Sequence, residues 1–586
     1  MKNRILAILL IFTASLAFYG LGCKGGPGVS PGEVGMEGVE GVEGQGAVAE
    51  DLTLPTISQI IPPDRSSISK SQEIVVKFSK TMDPATLVLD GSMASESEGG
   101  VWSSSENEND TLTISPKSTW PLGMATLSVT CNDSSGNPSP KTELNYAVHV
   151  VFVKVGETGD GTMDSPMGNI NDAITQAINT WPIPSEVHVA HGVYEVLSGT
   201  SHIILEEGVS ILGGFTAENW AARDPSTNTT IIKDTGSTGG GQFDPNCALE
   251  AAFGITADTV IDGFKIIGGS GDYSSAICSH DNTGPTIANN IIEGGSGTKI
   301  AIGIFMIKSS SKIHNNTIFG TSGNTKIGIG IMNYTNSATE IFDNTISGVS
   351  GTDLCVAIFN IKSSPKIYNN KLEGCTAKAV CGITNVESSS PMIYNNIIDA
   401  GIGTNQSSGI TATKSSPKIY NNTIDGGLAN ESYGIRIFDD GHPHIINNII
   451  FTSGGAKRYG IYEYASSSDP AELKNNDVFD CPTALYYDDE SGKGLKWFGP
   501  CIVCCPSFSS SPPLPCNDVL TTPGGANNVG NFSMDPKFEG PDDWHLSATS
   551  PKEVTKGGLD LSAEFNTDKD GDPRTPPWSI GAYEYD

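Results

Sequence analysis

The chain has 586 residues, enough for several domains and a large core. Acidic residues outnumber basic ones 66 to 34, a formal net charge of −32. That excludes nucleic acid as a partner, because phosphates need Lys and Arg, and argues against general attraction to anionic lipid.

Residues 1–22 read as a targeting segment. Lys2 and Arg4 give a basic start, Ile5 to Phe18 form an apolar core, and G-L-G-C ends at Cys23. The apolar run is shorter than the roughly 20 residues that span a bilayer. The segment resembles the bacterial lipoprotein signal, with Gly20 where that signal usually carries an aliphatic residue. The resemblance implies export, lipidation of Cys23 and anchoring to the bacterial cell envelope, at the outer membrane or cell surface. Membrane contact is then expected only through the lipid. Residues 23–53 are rich in Gly, Glu and Val and cannot bury a core, so they predict a flexible acidic tether.

Residues 54–150 predict a separate all-β domain. In E-I-V-V-K-F, Ile74, Val76 and Phe78 share one face, and T-L-T-I and A-T-L-S-V-T alternate in the same way. F-S-K-T-M-D-P (78–84), L-T-I-S-P (112–116) and D-S-S-G-N-P (133–138) resemble the bacterial Ig-like domain, which implies a β-sandwich serving as a spacer.

Residues 151–480 carry an internal repeat. The phrase aliphatic-x-Asn-Asn-x-aliphatic recurs from Ile287 to Val478 at steps of 26 or 28 residues, with Asp343 replacing the first Asn once. The second Asn of each copy is Asn290, Asn316, Asn344, Asn370, Asn396, Asn422, Asn448 and Asn476. Apolar runs of three to six residues between Gly, Ser, Asn and Pro predict short strands rather than helices. The first Asn lies at a corner, which Asn and Asp tolerate in left-handed geometry. Stacked turns bring the second Asn residues about 4.8 Å apart, so their amides predict an internal ladder. Pro285, Pro365, Pro391, Pro417 and Pro443 fall four before the first Asn, at a strand start. The pattern is similar to the right-handed parallel β-helix repeat of pectate lyases, polygalacturonases and many bacterial surface proteins. That resemblance implies the handedness. The expectation is an all-β chain, with about 11–12 coils of three strands following the sandwich, a rod roughly 50–55 Å long. Asn169 caps a predicted amphipathic helix near 169–181 that covers the open end.

Residues 481–535 lose the period and gain Cys, Pro and Ser. Cys481, Cys501, Cys504, Cys505 and Cys516 predict disulfides in an exported protein, with pairing undetermined. Cys355 and Cys381, one period apart, predict thiols stacked on neighbouring strands. Residues 536–586 contain W-H-L, D-G-D-P-R and S-I-G-A-Y-E, which resemble the closing segment of secreted bacterial β-helix proteins. That resemblance implies a last coil plus cap.

Three constellations could carry chemistry. Lys312, His314, Phe342, Lys366, Tyr368, Tyr394, Lys418 and Tyr420 predict an outward basic and aromatic stripe suited to carbohydrate, since sugar rings pack on aromatic faces. Arg436, Asp439, Asp440 and His442, with Glu463 about a coil later, are weak catalytic candidates; a turn explains them as well. Asp568, Asp570 and Asp572 in D-K-D-G-D predict a calcium loop without its later bidentate Glu. The expected function is carbohydrate binding or surface adhesion without catalysis. The alternative is a polysaccharide lyase or glycoside hydrolase acting on acidic polysaccharide, which needs converging carboxylates and a base.

Overall fold

The computed structural model describes residues 52–237, 245–296, 298–319, 325–347, 351–465, 467–489, 493–495 and 527–585. The targeting segment, Cys23, the tether up to residue 51, and Cys501, Cys504, Cys505 and Cys516 lie outside the described residues. Among the described residues no helix is long and apolar enough to cross a membrane. By contact the chain divides into two units: residues 52–151 with Asp160–Pro166, and Phe152–Gly159 with Met167–Asp586.

The first unit is a β-sandwich. One sheet orders Ile57–Ile61, Ile74–Phe78, Thr111–Pro116 and Ser97–Ser103; the other orders Ser67–Ile68, Thr142–Val148, Gly123–Thr130 and Val88–Asp90. Strict alternation buries Ile74, Val76 and Phe78 against Leu112, Leu127, Trp120 and Tyr146. The two polar tips among these rings are satisfied: Trp120 Nε1 donates to the Gln72 carbonyl at 2.6 Å and Tyr146 Oη to that of Pro62 at 3.0 Å.

The second unit is a solenoid of three parallel sheets. In one turn, Lys366–Tyr368 joins the first sheet, Lys371–Glu373 the second and Cys375–Val386 the third. Each strand pairs with its counterpart one turn on, as Ile367 with Ile393, Leu372 with Ile398 and Ile383 with Ile410. The second sheet has eleven strands among the described residues, one per turn, hence about 11 turns.

The Asn pair builds the corner between the first and second sheets. Its first member is left-handed in every copy, with φ from 48° at Asn421 to 59° at Asn447 and 54° at Asp343. Its second member points inward. Asn370 Nδ2 donates to Asn396 Oδ1 at 3.0 Å and to the Ile341 carbonyl at 2.9 Å, while its Oδ1 accepts from Asn344 Nδ2 at 3.0 Å and Asn344 N at 3.1 Å. The same bonds repeat from Asn290 to Asn476. Every buried amide is thereby satisfied between two aliphatic rows at 0–1% exposure, for example Ile367 and Leu372. A ninth rung follows, because Asn476 Nδ2 donates to Asn531 Oδ1 at 2.9 Å. The strand Asn527–Val529 pairs with Glu472–Lys474. The stretch expected to be irregular, 481–535, therefore ends in a further turn of the ladder. A second, shorter ladder lines the third sheet: Asn333 Nδ2 to Asn360 Oδ1 at 2.9 Å and Asn360 Nδ2 to Asn385 Oδ1 at 2.8 Å.

A glycine column in the third sheet sets how narrow the solenoid is. A Cβ on Gly382 would lie 2.5 Å from Ile398 Cγ2 and 2.6 Å from the Gly409 carbonyl oxygen, and one on Gly434 would lie 2.2 Å from Ile450 Cγ2. Gly303, Gly330, Gly409 and Gly460 meet the same row of aliphatic side chains. By the same register Ala357 replaces glycine beside Leu372, whose Cβ carries no second methyl branch.

Two ends close the core. The helix α1 (Ile170–Thr180) starts at Asn169, whose side chain accepts from Asn171 N at 2.8 Å, and buries Ile170, Ala173, Ile174 and Ala177. The C-terminal segment is not a coil followed by a cap. Residues 557–581 lie lengthwise on the outside, against the first Asn of four successive pairs. Asn395 Nδ2 donates to the Thr567 carbonyl at 2.7 Å, Asn421 to Ser579 at 3.0 Å, Asn447 to Leu559 at 2.9 Å and Asn475 to Gly557 at 2.7 Å. Arg574, fully buried, fixes this strap by an ion pair to Glu584 at 3.2 Å and a bond to Asn395 Oδ1 at 2.9 Å.

The cysteines differ from expectation. Among the described residues the disulfides are Cys247–Cys278 and Cys355–Cys375, while Cys481 and Cys381 are buried free thiols. Cys355 and Cys381 do not stack: Cys355 pairs with Val380 and Val356 with Cys381, one residue out of step.

Candidate functional site

The outward stripe on the first sheet forms, but one end of it is sealed. His314, Phe342, Tyr368 and Tyr394 stack at 4.8–5.0 Å with interplanar angles of 4–17°. Phe565 of the strap closes the stack on Tyr394 at 4.4 Å, and Leu561 joins it. Tyr394 and Tyr420 are thus 5% and 4% exposed, and Lys418 is ion-paired with Glu564. The two tyrosines are closed to a ligand, and Lys418, still partly exposed, is held by Glu564. Lys312, His314, Phe342, Lys366 and Tyr368 remain at least partly exposed, yet their rings spend their faces on one another and offer edges.

The catalytic candidates do not come together. Asp439 and Asp440 form a left-handed turn at φ 42° and 64°. His442 Nδ1 lies 2.8 Å from the Asp469 carbonyl oxygen. Glu463 faces the interior, where it accepts from Tyr486 Oη and lies among Asp469 and Asp488. Burial, reinforced by those two carboxylates, pushes the Glu463 carboxyl up to about 7. Arg436 faces outward between Ile435 and Ile437, both at 0% exposure. In the C-terminal segment, Asp568 Oδ1 accepts from Asp570 N and Asp572 N, both at 2.9 Å, its Oδ2 from Glu584 N at 2.9 Å, and Asp570 Oδ2 lies 3.0 Å from His545 Nε2. The loop is a turn closed on its own backbone. Among the described residues no three acidic, His or Cys side chains form a metal-ligating group.

The constellation the sequence did not reveal lies on the outer face of the third sheet, on the strands Gly401–Thr413, Leu428–Phe438, Gly454–Glu463 and Ala484–Asp488. Glu431 is its hub. Lys457 Nζ donates to Glu431 Oε1 at 2.7 Å; Tyr433 Oη and Gln406 Nε2 donate to Oε2 at 2.9 Å and 3.2 Å. The Lys457 ammonium, first among these donors, holds the Glu431 carboxyl below its usual range. Arg436 lies over the rings of Tyr433 and Phe438, 4.4 Å and 4.6 Å from their centroids, and donates to Gln406 Oε1 at 3.3 Å. Tyr462 stacks on Tyr487 at 5.1 Å and 13°, and meets Tyr433 and Tyr459 edge-on at 80° and 78°. Tyr433 and Tyr459 are buried by their neighbours; Tyr462, Tyr487, Gln406 and Glu431 are half-buried and Lys457 exposed. Like the first-sheet stack it contains face-to-face pairs, Tyr433–Tyr459 at 5.3 Å and 10° and Tyr462–Tyr487, but here the two pairs meet edge-on, beside a charged hydrogen-bond network.

Nearer the start of the same sheet, Glu250 accepts two imidazoles, His202 Nε2 at 2.7 Å and His280 Nε2 at 3.0 Å. Both hold its carboxyl well below the usual range, and the Glu250 carboxylate raises His280 in turn.

A sequence model described as "Right handed beta helix region" matches residues 328–496. The solenoid is a right-handed parallel β-helix. Solved structures similar to the chain include the mannuronan C-5 epimerase A-module of Azotobacter vinelandii, at 18% identity, over 56% of this chain and 95% of that one, with a TM-score of 0.32. They include the family 28 exopolygalacturonase of Yersinia enterocolitica, at 11% identity over 73% and 100%, with a TM-score of 0.24. A third is the catalytic unit of an α-1,3-glucanase of Streptomyces thermodiastaticus, at 11% identity over 73% and 90%, with a TM-score of 0.29. At these scores the likenesses carry no inference about the chemistry of this β-helix. No curated protein matches the sequence.

Proposed function

We propose that the chain is an exported protein, anchored to the cell envelope through Cys23, whose β-helix binds carbohydrate on the outer face of the third sheet without cleaving it. The observation that carries this reading is the Tyr433–Tyr459–Tyr462–Tyr487 cluster beside the Gln406–Glu431–Arg436–Lys457 network. Aromatic faces pack sugar rings, and fixed donors and acceptors orient hydroxyls. Hydrolysis of a glycosidic bond needs two carboxylates, one with a raised pKa as general acid. One carboxylate, Glu431, is hydrogen-bonded into the network, and Lys457 keeps it ionised.

Affinity electrophoresis through gels containing neutral or acidic polysaccharides tests the reading, with reducing and unsaturated ends scored in parallel. Retardation by at least one polymer, lost in Tyr462→Ala/Tyr487→Ala, is the expected result. Retardation indifferent to that double change removes the site. Release of chain ends replaces binding with lyase or hydrolase activity.

A further inference from the structure

We infer that Arg436 is the specificity-determining residue of this surface and that it takes an oxyanion substituent, a carboxylate or a sulfate, on the bound sugar. The inference rests on the carbohydrate-binding reading.

Four of the five arginines among the described residues have a carboxylate partner: Arg65 with Asp164, Arg223 with Asp262, Arg458 with Asp480 and Arg574 with Glu584. In a chain with 66 acidic residues that is the expected condition. Arg436 differs. It makes no ion pair among the described residues; its hydrogen bond is to the neutral amide of Gln406, and its Nε is buried without a partner. The nearest carboxylate in the network, Glu431, is committed to Lys457, Tyr433 and Gln406.

Withdrawing a guanidinium from water without a counter-ion is costly. Burial accordingly lowers the Arg436 pKa, and the tyrosines around it offset only part of that. Tyr433 and Phe438 cover the group with aromatic rings, and the donor edge that remains is planar. A planar edge of two N–H groups matches two oxygens of a carboxylate or sulfate. Tyr462, in the equivalent position one turn on, lies where the ring of the same sugar would pack. An oxyanion bound there completes the charge balance that the protein leaves open.

Isothermal titration of the full chain with three short ligands tests this: trigalacturonate, sulfated maltotriose and neutral maltotriose. Short oligomers keep small the repulsion between a polyanion and a protein of net charge −32. The native chain should bind one charged trisaccharide at least about tenfold more tightly than maltotriose, consistent with a charge-assisted pair. Which of the two it prefers distinguishes carboxylate from sulfate. Arg436→Met should erase the preference. Arg436→Lys should restore little of it, because an ammonium cannot form the fork. Far-UV circular dichroism reports that both variants are folded, and the readout is the ratio of charged to neutral affinity within each protein rather than the maltotriose affinity itself. Equal binding of charged and neutral trisaccharides by the native chain, or a charged preference that survives Arg436→Met, overturns the inference. If maltotriose binding falls in Tyr462→Ala while the native chain itself shows no preference for a charged trisaccharide, the surface stands and the oxyanion assignment falls. If no trisaccharide binds, both fall.

Discussion

Replacing Asn370 with Ala interrogates the ladder at its centre. The change removes three donated and two accepted bonds: those to the Ile341 and Tyr368 carbonyls and Asn396 Oδ1, and those from Asn344 N and Asn344 Nδ2. Asn344 Nδ2 keeps the Ile313 and Phe342 carbonyls at 2.8 Å and 2.9 Å, so the orphan is the Asn344 N–H, and the Ile341 and Tyr368 carbonyls each lose a donor. At about 1–3 kcal/mol for the orphaned N–H and about 0.5–1.5 kcal/mol for each carbonyl bond lost, the loss is roughly 2–6 kcal/mol. Water cannot repair it, because Ile341, Ile367 and Leu372 enclose the site at 0–1% exposure. Lys371→Ala, next in sequence on the outer surface, is the control; its exposed pair with Glu373 should contribute less than about 1 kcal/mol. Denaturant unfolding followed by far-UV circular dichroism reads the global loss, and amide hydrogen exchange reads protection in the flanking turns. If Asn370→Ala costs no more than Lys371→Ala, the account of the ladder as a satisfied buried chain is wrong.

Three further outcomes follow from the packing. Gly382→Ala places a methyl against Ile398 Cγ2 and the Gly409 carbonyl and should cost about 1–3 kcal/mol; adding Ile398→Leu, which copies the native Ala357–Leu372 pairing, should recover part of it in the same melts. Glu463 sits at about 7 against an ordinary 4.5. The folded state therefore holds its proton more tightly, and its share of stability falls as pH rises from about 4.5 to about 7, by roughly 3 kcal/mol. Glu463→Gln should raise the melting temperature at pH 8 and leave it little changed near pH 4; a shift of equal size at both refutes the assignment. Arg574→Ala leaves Glu584 buried with only Lys556, 3.8 Å away, as counter-ion, a loss of about 3 kcal/mol, and limited trypsin digestion should then cut at Lys569 while the solenoid resists.

The architecture was readable because one turn of the solenoid is one period of the text. Identical residues 26 or 28 apart stack on each other, so Asn316 over Asn344 or Ile367 over Ile393 needed no knowledge of the rest of the fold. What was unreadable depends on contacts outside the period. Tyr394 and Tyr420 look like open stripe residues until Leu561 and Phe565, some 150 residues away, settle on them. Asn531 escaped notice because 55 residues separate it from Asn476. The third sheet misled for a different reason. Tyr433 and Arg436 are three apart, which strict alternation assigns to opposite faces, yet they touch. Gly434 between them shifts the phase, as the glycine column does in other turns. That shift puts Arg436 on the outside and Glu463 inside, and so divides residues that sequence spacing had grouped.

The strap changes how the rod can come apart. A stack of repeats couples each unit only to its neighbours, so turns can open one after another. Where the C-terminal segment grips the corners at Asn395, Asn421, Asn447 and Asn475, four successive turns share a single splint and must yield together. Among the described residues, the upstream turns at Asn289, Asn315, Asp343 and Asn369 make no such hydrogen bonds to the strap. Pulled from its ends, the β-helix should unravel upstream in many small force steps and downstream in one large one.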